Sequence, residues 1–312
     1  MEIFDQDINA EVIGFGALNV DKLYSVEKIV SGDEESFIKS ETDRPGGSAA
    51  NTIVGLSRLG CSTSIIGKIA EDEDGDLIEY NLAFNGVYTN NLIYADSGST
   101  GKCMDFVDKD GERALYISPG VNDEIKIDEI NPMNIMRCKI IHYSSFVGDS
   151  FEAQIELLDK LNEDTVLSFD PGMLYVQRGF DELKPILERT GILLINESEL
   201  RLLCNNDNAS LKELAISLLD FGIENVVVKQ GSKGVFAMND SEECFVEAYE
   251  SSVVDTTGAG DSFNSGFLYS YLKGYSLEKS CKIGNWVASK SIEGFGMDKF
   301  PTLKDLEDSF EL

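Results

Sequence analysis

Basic residues are scarce in this chain of 312 residues: 26 Lys and Arg stand against 56 Asp and Glu, a formal net charge of −30. Nucleic-acid binding needs a basic footprint, so no nucleic-acid partner is expected. Histidine occurs once, and the cysteines at 61, 103, 138, 204, 244 and 281 form no CxxC, so a zinc site is not expected. Scattered thiols of this kind read as reduced and buried, in a cytoplasmic protein. No apolar run reaches about 18 residues, so neither a transmembrane helix nor a membrane partner is expected. The stretch MEIFDQDINAEVIGFG is acidic and lacks the basic region of a secretory signal. Several familiar motifs are missing as well. There is no GxxxxGK[ST], so a P-loop is excluded, and Gly14-Phe15-Gly16 opens a GxGxxG that fails at Asn19. Neither a serine nucleophile elbow nor HExxH occurs, and no Pro/Ser-rich linker, repeat or low-complexity tract divides the chain.

What is present is enough apolar residue (42%) for a sizeable core, arranged as short apolar strands alternating with helical patterns. Strands are expected at 12–16, 62–66, 139–142, 166–169, 193–195 and 226–228. Helices are expected at 48–59, 72–84, 151–161, 197–204, 211–221, 258–273 and 277–292. Such βα alternation predicts a mostly parallel sheet covered on both faces. Two β-rich pieces, near 20–42 and 97–118, break the pattern, and neither is expected to lead into a helix of its own. The second contains Lys109-Asp110-Gly111, a hairpin signal. Together the two pieces are expected to form a small sheet standing off the main body.

The run Val254-Asp255-Thr256-Thr257-Gly258-Ala259-Gly260-Asp261-Ser262-Phe263 carries the most chemical information. An extended segment turns into a helix through small residues, so backbone N–H groups can approach an anion closely. The first N–H groups of a helix lack internal partners, and the macrodipole adds about half a positive charge. Gly258, Ala259 and Gly260 can therefore cradle a phosphoryl group, and Asp261 is placed to take a proton from whatever attacks it. Earlier in the chain, Arg44-Pro45-Gly46-Gly47-Ser48-Ala49-Ala50-Asn51-Thr52 runs into an apolar-periodic helix.

These two strings resemble the two signatures of the PfkB/ribokinase family of sugar and nucleoside kinases. The resemblance extends over essentially the whole chain. It implies an α/β, ribokinase-like three-layer fold with a mostly parallel central sheet and a small β lid. Residues 1–312 would form a single kinase domain, with the lid segments at about 20–42 and 97–118 inserted within it. It also implies an ATP- and Mg²⁺-dependent phosphotransferase acting on a hydroxymethyl-type hydroxyl of a small carbohydrate. Asp21, and with it Asn19, corresponds to the family's Asn-x-Asp that bonds sugar hydroxyls; alone, the pair reads as a turn leaving the first strand. Gly46, Gly47 and Asn51 would line the acceptor pocket. Ser48 stands where several sugar-phosphate kinases of the family, and ribokinase itself, have lysine, which argues against a phosphorylated acceptor.

Asn196 and Glu199 resemble the family's Asn-x-x-Glu near Mg²⁺ and the phosphates, with Glu199 acting through metal-bound water; an ordinary helix cap explains them equally. Lys229, Gly231 and Gly234 fall on the loop that holds the nucleotide, and Lys229 and Lys233 are equally readable as surface lysines. Many relatives bind K⁺ through carbonyls of the segment matching Asp255–Thr257 and of a loop matching 291–296. Lids in the family sometimes pair into homodimers. Asp170-Pro171-Gly172 reads as a turn that could sit at the sheet's ligand-binding edge, and His142, Arg44 and Arg113 read as structural or surface residues. A ribosyl acceptor, nucleoside or ribose, is expected, because the small residues 47–50 leave room beside the sugar. The alternatives are a pentose or hexose phosphate acceptor, and a non-catalytic binding regulator of the same family.

Overall fold

The computed structural model describes residues 10–311; the first nine residues of the acidic N-terminal stretch lie outside the described residues. Strand β1 (Val12–Phe15) is followed by β2 (Asn19–Val26), β3 (Ile38–Gly46) and helix α1 (Ser48–Arg58). Next come β4 (Thr63–Ala70), α2 (Glu73–Phe84), β5 (Leu92–Ala95), β6 (Gly101–Val107) and β7 (Arg113–Ser118). The central part holds β8 (Ile140–Ser144), α3 (Ser150–Leu158), β9 (Val166–Asp170), α4 (Gly172–Val176), α5 (Phe180–Leu187), β10 (Thr190–Asn196), α6 (Glu197–Leu203) and α7 (Leu211–Phe221). The rest comprises β11 (Asn225–Lys229), β12 (Val235–Asn239), β13 (Glu243–Val246), α8 (Ala259–Leu272), α9 (Leu277–Ser291) and α10 (Leu303–Ser309).

The large sheet has the order β13-β12-β11-β10-β9-β8-β1-β4-β5. It is parallel from β11 to β5, and β12 and β13 run antiparallel at one edge. Side chains alternate between two cores. Val12, Ile140, Ile192, Leu194 and Val227 pack with α1, α2, α8, α9 and α10. Ile13, Phe15, Ile141, Tyr143, Leu193, Ile195, Val226 and Val228 pack with α3 to α7. Burial on both faces is why these strands read as continuous apolar runs.

Strand order reverses between β1 and β8, and ligands of open α/β sheets bind beyond the carboxyl ends of strands at such a point. The parting strands leave carbonyls that need partners. Buried Gln154 of α3 supplies them: its Nε2 donates to Phe15 O and to Ser144 O, both at 2.9 Å, while its Oε1 accepts from Tyr175 Oη at 2.8 Å.

The second sheet has the order β3-β2-β6-β7 and unites the two expected β-rich pieces. One expectation is corrected here. Strand β3 does lead into a helix, reaching Gly46 with α1 starting at Ser48, so the small sheet and α1 are one continuous piece of backbone. Asp170-Pro171-Gly172 is also more than a turn, because α4 begins directly at Gly172. The elements β5, α4, α5, β13 and α10 were not expected. They are 4–8 residues long, and such short pieces carry too little periodicity to be read.

Asp74 in the first turn of α2 ties two strands of the small sheet to the body. Its Oδ1 is 2.9 Å from Lys22 Nζ of β2, and its Oδ2 is 2.7 Å from Lys102 Nζ of β6. The two ammonium groups outweigh the cost of burial and hold the Asp74 carboxyl below its usual range. Asp74→Ala is expected to lower stability by about 1–3 kcal/mol and to speed proteolysis within residues 26–38. An unchanged melting temperature would show that the paired bridges contribute nothing, as many exposed ion pairs do.

Candidate active site

Two helix N-termini converge beyond the switch point. Gly47 caps α1 with φ 111°, and a Cβ there would lie 2.2 Å from the Ala17 carbonyl oxygen, so only glycine fits. This brings Ser48 and Asn51, in the first turn of α1, to the start of α8. Ser48 Oγ donates to Asp261 Oδ1 at 2.7 Å, and Asn51 Nδ2 donates to Asp261 Oδ2 at 3.0 Å. Burial raises the Asp261 carboxyl to about 6, although these two donors oppose the rise. A carboxylate with that value is ionised at neutral pH and is still basic enough to accept a proton.

Gly258, at the cap of α8, is left-handed with φ 73°. The anion turn differs in one respect from expectation. The Ala259 N–H donates to Thr256 O at 3.2 Å, so that amide is already occupied. The unsatisfied donors of the helix start are then the N–H groups of Gly260 and Asp261, which precede any helical partner.

A cavity of about 780 Å³ lies between the small sheet and the body; Asn51 and Gly258, which adjoin Asp261, line it, and Asp261 itself does not. Asp21, Gly46 and Asn51 line it together with Arg44, Asp105 and Arg113, whereas Gly47 does not. Asp21 lies against Gly46, where a Cβ would come within 2.5 Å of its Oδ2. Burial, and then the charge of Asp105, pushes the Asp21 carboxyl up to about 6. Arg113 is not a free surface residue: its Nε donates to Asp105 Oδ1 at 2.6 Å, and it forms an ion pair with the same carboxylate. The Arg44 guanidinium sits 5.3 Å from the ring centre of Phe295 at the cavity wall. Asn19 does not line the cavity. Its Oδ1 accepts from Asn122 Nδ2 at 3.0 Å, and Asn122 also bonds both backbone groups of Leu18, so Asn19 belongs to a clamp on the exit of β1.

The nucleotide-side residues gather at the carboxyl ends of β9, β10 and β11. Asn196 and Glu199 form a reciprocal cap of α6, with Glu199 N to Asn196 Oδ1 at 2.8 Å and Asn196 N to Glu199 Oε2 at 3.1 Å. Glu199 is nonetheless 7% exposed, and burial and the neighbouring Asp170 raise its carboxyl. Lys229 is not a solvated lysine either: Nζ donates to Asp170 Oδ2 at 2.6 Å and to Asn264 Oδ1 at 3.1 Å. Burial would raise the Asp170 carboxyl, but Lys229 and Asn264 hold it below the usual range. Gly231, with φ 58°, is exposed and has open space around it, which suits a backbone that a ligand approaches. Gly234 is explained differently, since a Cβ there would strike the Val246 carbonyl at 2.0 Å. Lys233 is exposed.

Val254 and Asp255 meet the 291–296 loop, and Thr257 bonds to Asp255. Val254 N donates to Ile292 O at 2.8 Å and Gly296 N to Asp255 Oδ2 at 3.3 Å, while Thr257 N donates to Asp255 Oδ1 at 2.9 Å. His142 is structural: it is fully buried on β8 with Nδ1 3.0 Å from Ser168 Oγ, and burial pushes it down to about 4. Asp105, Asn122 and Asn264 were not foreseen. Asn264 alone had a legible signal, since it stands one helical turn after Asp261 and so shares its face.

The pfkB family of carbohydrate kinases matches residues 9–303. An uncharacterized sugar kinase of Archaeoglobus fulgidus is 41% identical over 247 residues, 78% of this chain and 96% of that protein. A nucleoside kinase of Methanocaldococcus jannaschii is 30% identical over 289 residues, 90% of each chain. Among solved structures, the ribokinase of Thermotoga maritima superposes with a TM-score of 0.86 at 25% identity, over 97% of this chain and all of the other. With the anion turn, the Asp261 carboxylate and the two-sheet architecture in place, the chain belongs to the pfkB family of carbohydrate kinases.

Proposed function

We propose that the chain transfers the γ-phosphoryl group of ATP to the hydroxymethyl hydroxyl of a ribosyl compound, a nucleoside or ribose. The observation that carries this reading is the Asp261 carboxylate, held by Ser48 and Asn51 at the start of α8, beside a cavity that Asn51, Gly258 and Asp21 line. Asp21 orients the sugar through its hydroxyls. Asp261 takes the proton of the attacking hydroxyl as its oxygen bonds to phosphorus and the bond to the ADP oxygen breaks. The N–H groups of Gly260 and Asp261 hold the phosphoryl oxygens as charge moves across them. The cavity is large for a pentose alone, and Val54, Ile78, Leu82 and Met297 give it an apolar wall suited to a base. The similarity to a nucleoside kinase and to a ribokinase points the same way.

Mg²⁺ fits this arrangement as a companion of the nucleotide phosphates. No group of three or more metal-ligating side chains gathers among the described residues, and Mg²⁺ keeps water and phosphate oxygens and needs few carboxylates. Glu199 is the residue that would hold it, through water, and the ion would supply charge neutralisation at the phosphates. Asn196 and Gly231 border the same space for the nucleotide.

A panel of ribose, nucleosides and sugar phosphates with ATP tests the acceptor. Turnover is expected with a nucleoside or ribose; preference for a phosphorylated sugar would overturn this choice. Asp261→Asn should reduce kcat by about 10²–10⁴ with little change in ATP affinity; retention of more than roughly a third of the rate would remove Asp261 as the base. In the wild type, kcat/KM should fall as pH drops through about 6, where the raised carboxyls of Asp261 and Asp21 take up protons. Asp21→Ala should raise the acceptor KM at least tenfold and leave the ATP KM in place, whereas equal damage to both would make Asp21 a fold residue. We also propose a K⁺ site formed by the carbonyls of Asp255 and Thr257 with the 291–296 loop. It predicts faster turnover in K⁺ than in tetramethylammonium at fixed ionic strength, and equal rates would exclude it.

A further inference from the structure

Lys229 has a feature that neither the sheet nor the nucleotide loop requires. Its side chain is 15% exposed at the carboxyl end of β11, in register with Asn196 of β10. An ammonium offers three N–H donors. Two are taken, by Asp170 Oδ2 at 2.6 Å and Asn264 Oδ1 at 3.1 Å. Asn264 Nδ2 also donates to Asp170 Oδ2 at 2.6 Å, so all three side chains are locked together. Nζ lies 3.5 Å from the position a Cβ would take on Gly260, which places it directly beside the anion turn.

The charge balance there makes the placement informative. Asp170 is bonded to the ammonium, Glu199 and Asp261 are near enough for its charge to favour their ionised forms, and a triphosphate must enter beside these carboxylates. An ion pair used only for folding is seldom worth its desolvation cost, because apolar residues can replace it without loss of stability. One that keeps a donor free beside a phosphoryl cradle has a second use. We infer that Lys229 is a catalytic residue whose remaining N–H bonds a non-bridging oxygen of the transferred phosphoryl group, with Asp170 and Asn264 as its positioning residues. Lys229 stays protonated throughout: the acceptor's proton goes to Asp261, and the leaving ADP oxygen receives none from Lys229. The inference rests on the kinase reading above, and it identifies the fixed positive charge that an acidic protein must bring to this step.

The test uses neutral isosteres. Lys229→Met should lower kcat by about 10²–10³, the range for removing one donor to a developing charge, with the acceptor KM within threefold of wild type. It should weaken a non-hydrolysable ATP analogue at least tenfold while changing ADP affinity less than twofold. It should also lower the melting temperature, because Asp170 is left buried and unpaired. Asp170→Asn combined with Lys229→Met removes both charges, and the melting temperature should recover while kcat stays at least thirtyfold down. Recovery of kcat to within threefold of wild type in the double variant would overturn the inference, since Lys229 would then only balance Asp170. Equal losses for ADP and the ATP analogue would overturn it as well. The affinity measurement needs no turnover, so it tests Lys229 even if no ribosyl acceptor is phosphorylated and the acceptor reading fails on its own.

Discussion

The contact between the starts of α1 and α8 organises the site. Asp261 is held from both oxygens by Ser48 and Asn51, and Thr52 Oγ1 adds a bond to its carbonyl at 3.4 Å. This contact requires the two helices to approach closely. A Cβ on Gly55 would stand 2.4 Å from Ser265 Oγ and 2.6 Å from Phe300, and one on Gly266 would crowd Gly284 of α9. Small residues along these faces therefore set the distance at which a hydroxyl on one helix can reach a carboxylate on the other. The Asp261 carboxylate gets its position from backbone packing, which is rigid, and its raised basicity from the burial that the packing imposes.

A protein of net charge −30 must also concentrate positive potential where phosphate is handled. Three devices sit together here: the macrodipole and free N–H groups of α8, the ammonium of Lys229, and the guanidinium of Arg44 at the cavity wall. Arg113, by contrast, is committed to Asp105, and that pair lowers the charge of the cavity floor without leaving a free cation. The acidic exterior does not cancel these local positive groups, because exposed charges farther away than a Debye length are screened while those inside the cleft are not.

The parts of this arrangement that the sequence revealed were local. The helix start at Gly258–Asp261, the cap of α6, and the helices expected at 48–59 and 211–221 depend on residues within a few positions of one another. What it hid was pairing across distance. Lys229 read equally as a surface lysine because its partners are 59 and 35 residues away. Asn19 read as a sugar ligand because nothing nearby announces Asn122, 103 residues on. Arg113 is exposed, as read, but its bond to Asp105 forms only across the β6–β7 hairpin. Gly234 shows the converse error, in which a glycine assigned to the ligand is required by a neighbouring strand.

The continuity of β3 with α1 has a structural consequence for the same site. Gly46 ends the strand, Gly47 turns the chain, and Ser48 and Asn51 hold the base within the next turn of helix. Asp21 on the adjacent strand packs against Gly46 and is in register with Arg44. Two glycines therefore join the small sheet to the donors that hold Asp261. Asp74, anchoring Lys22 and Lys102, restrains that sheet at its other side. Asp21 and the donors to Asp261 therefore belong to one strand pair and the helix that continues it.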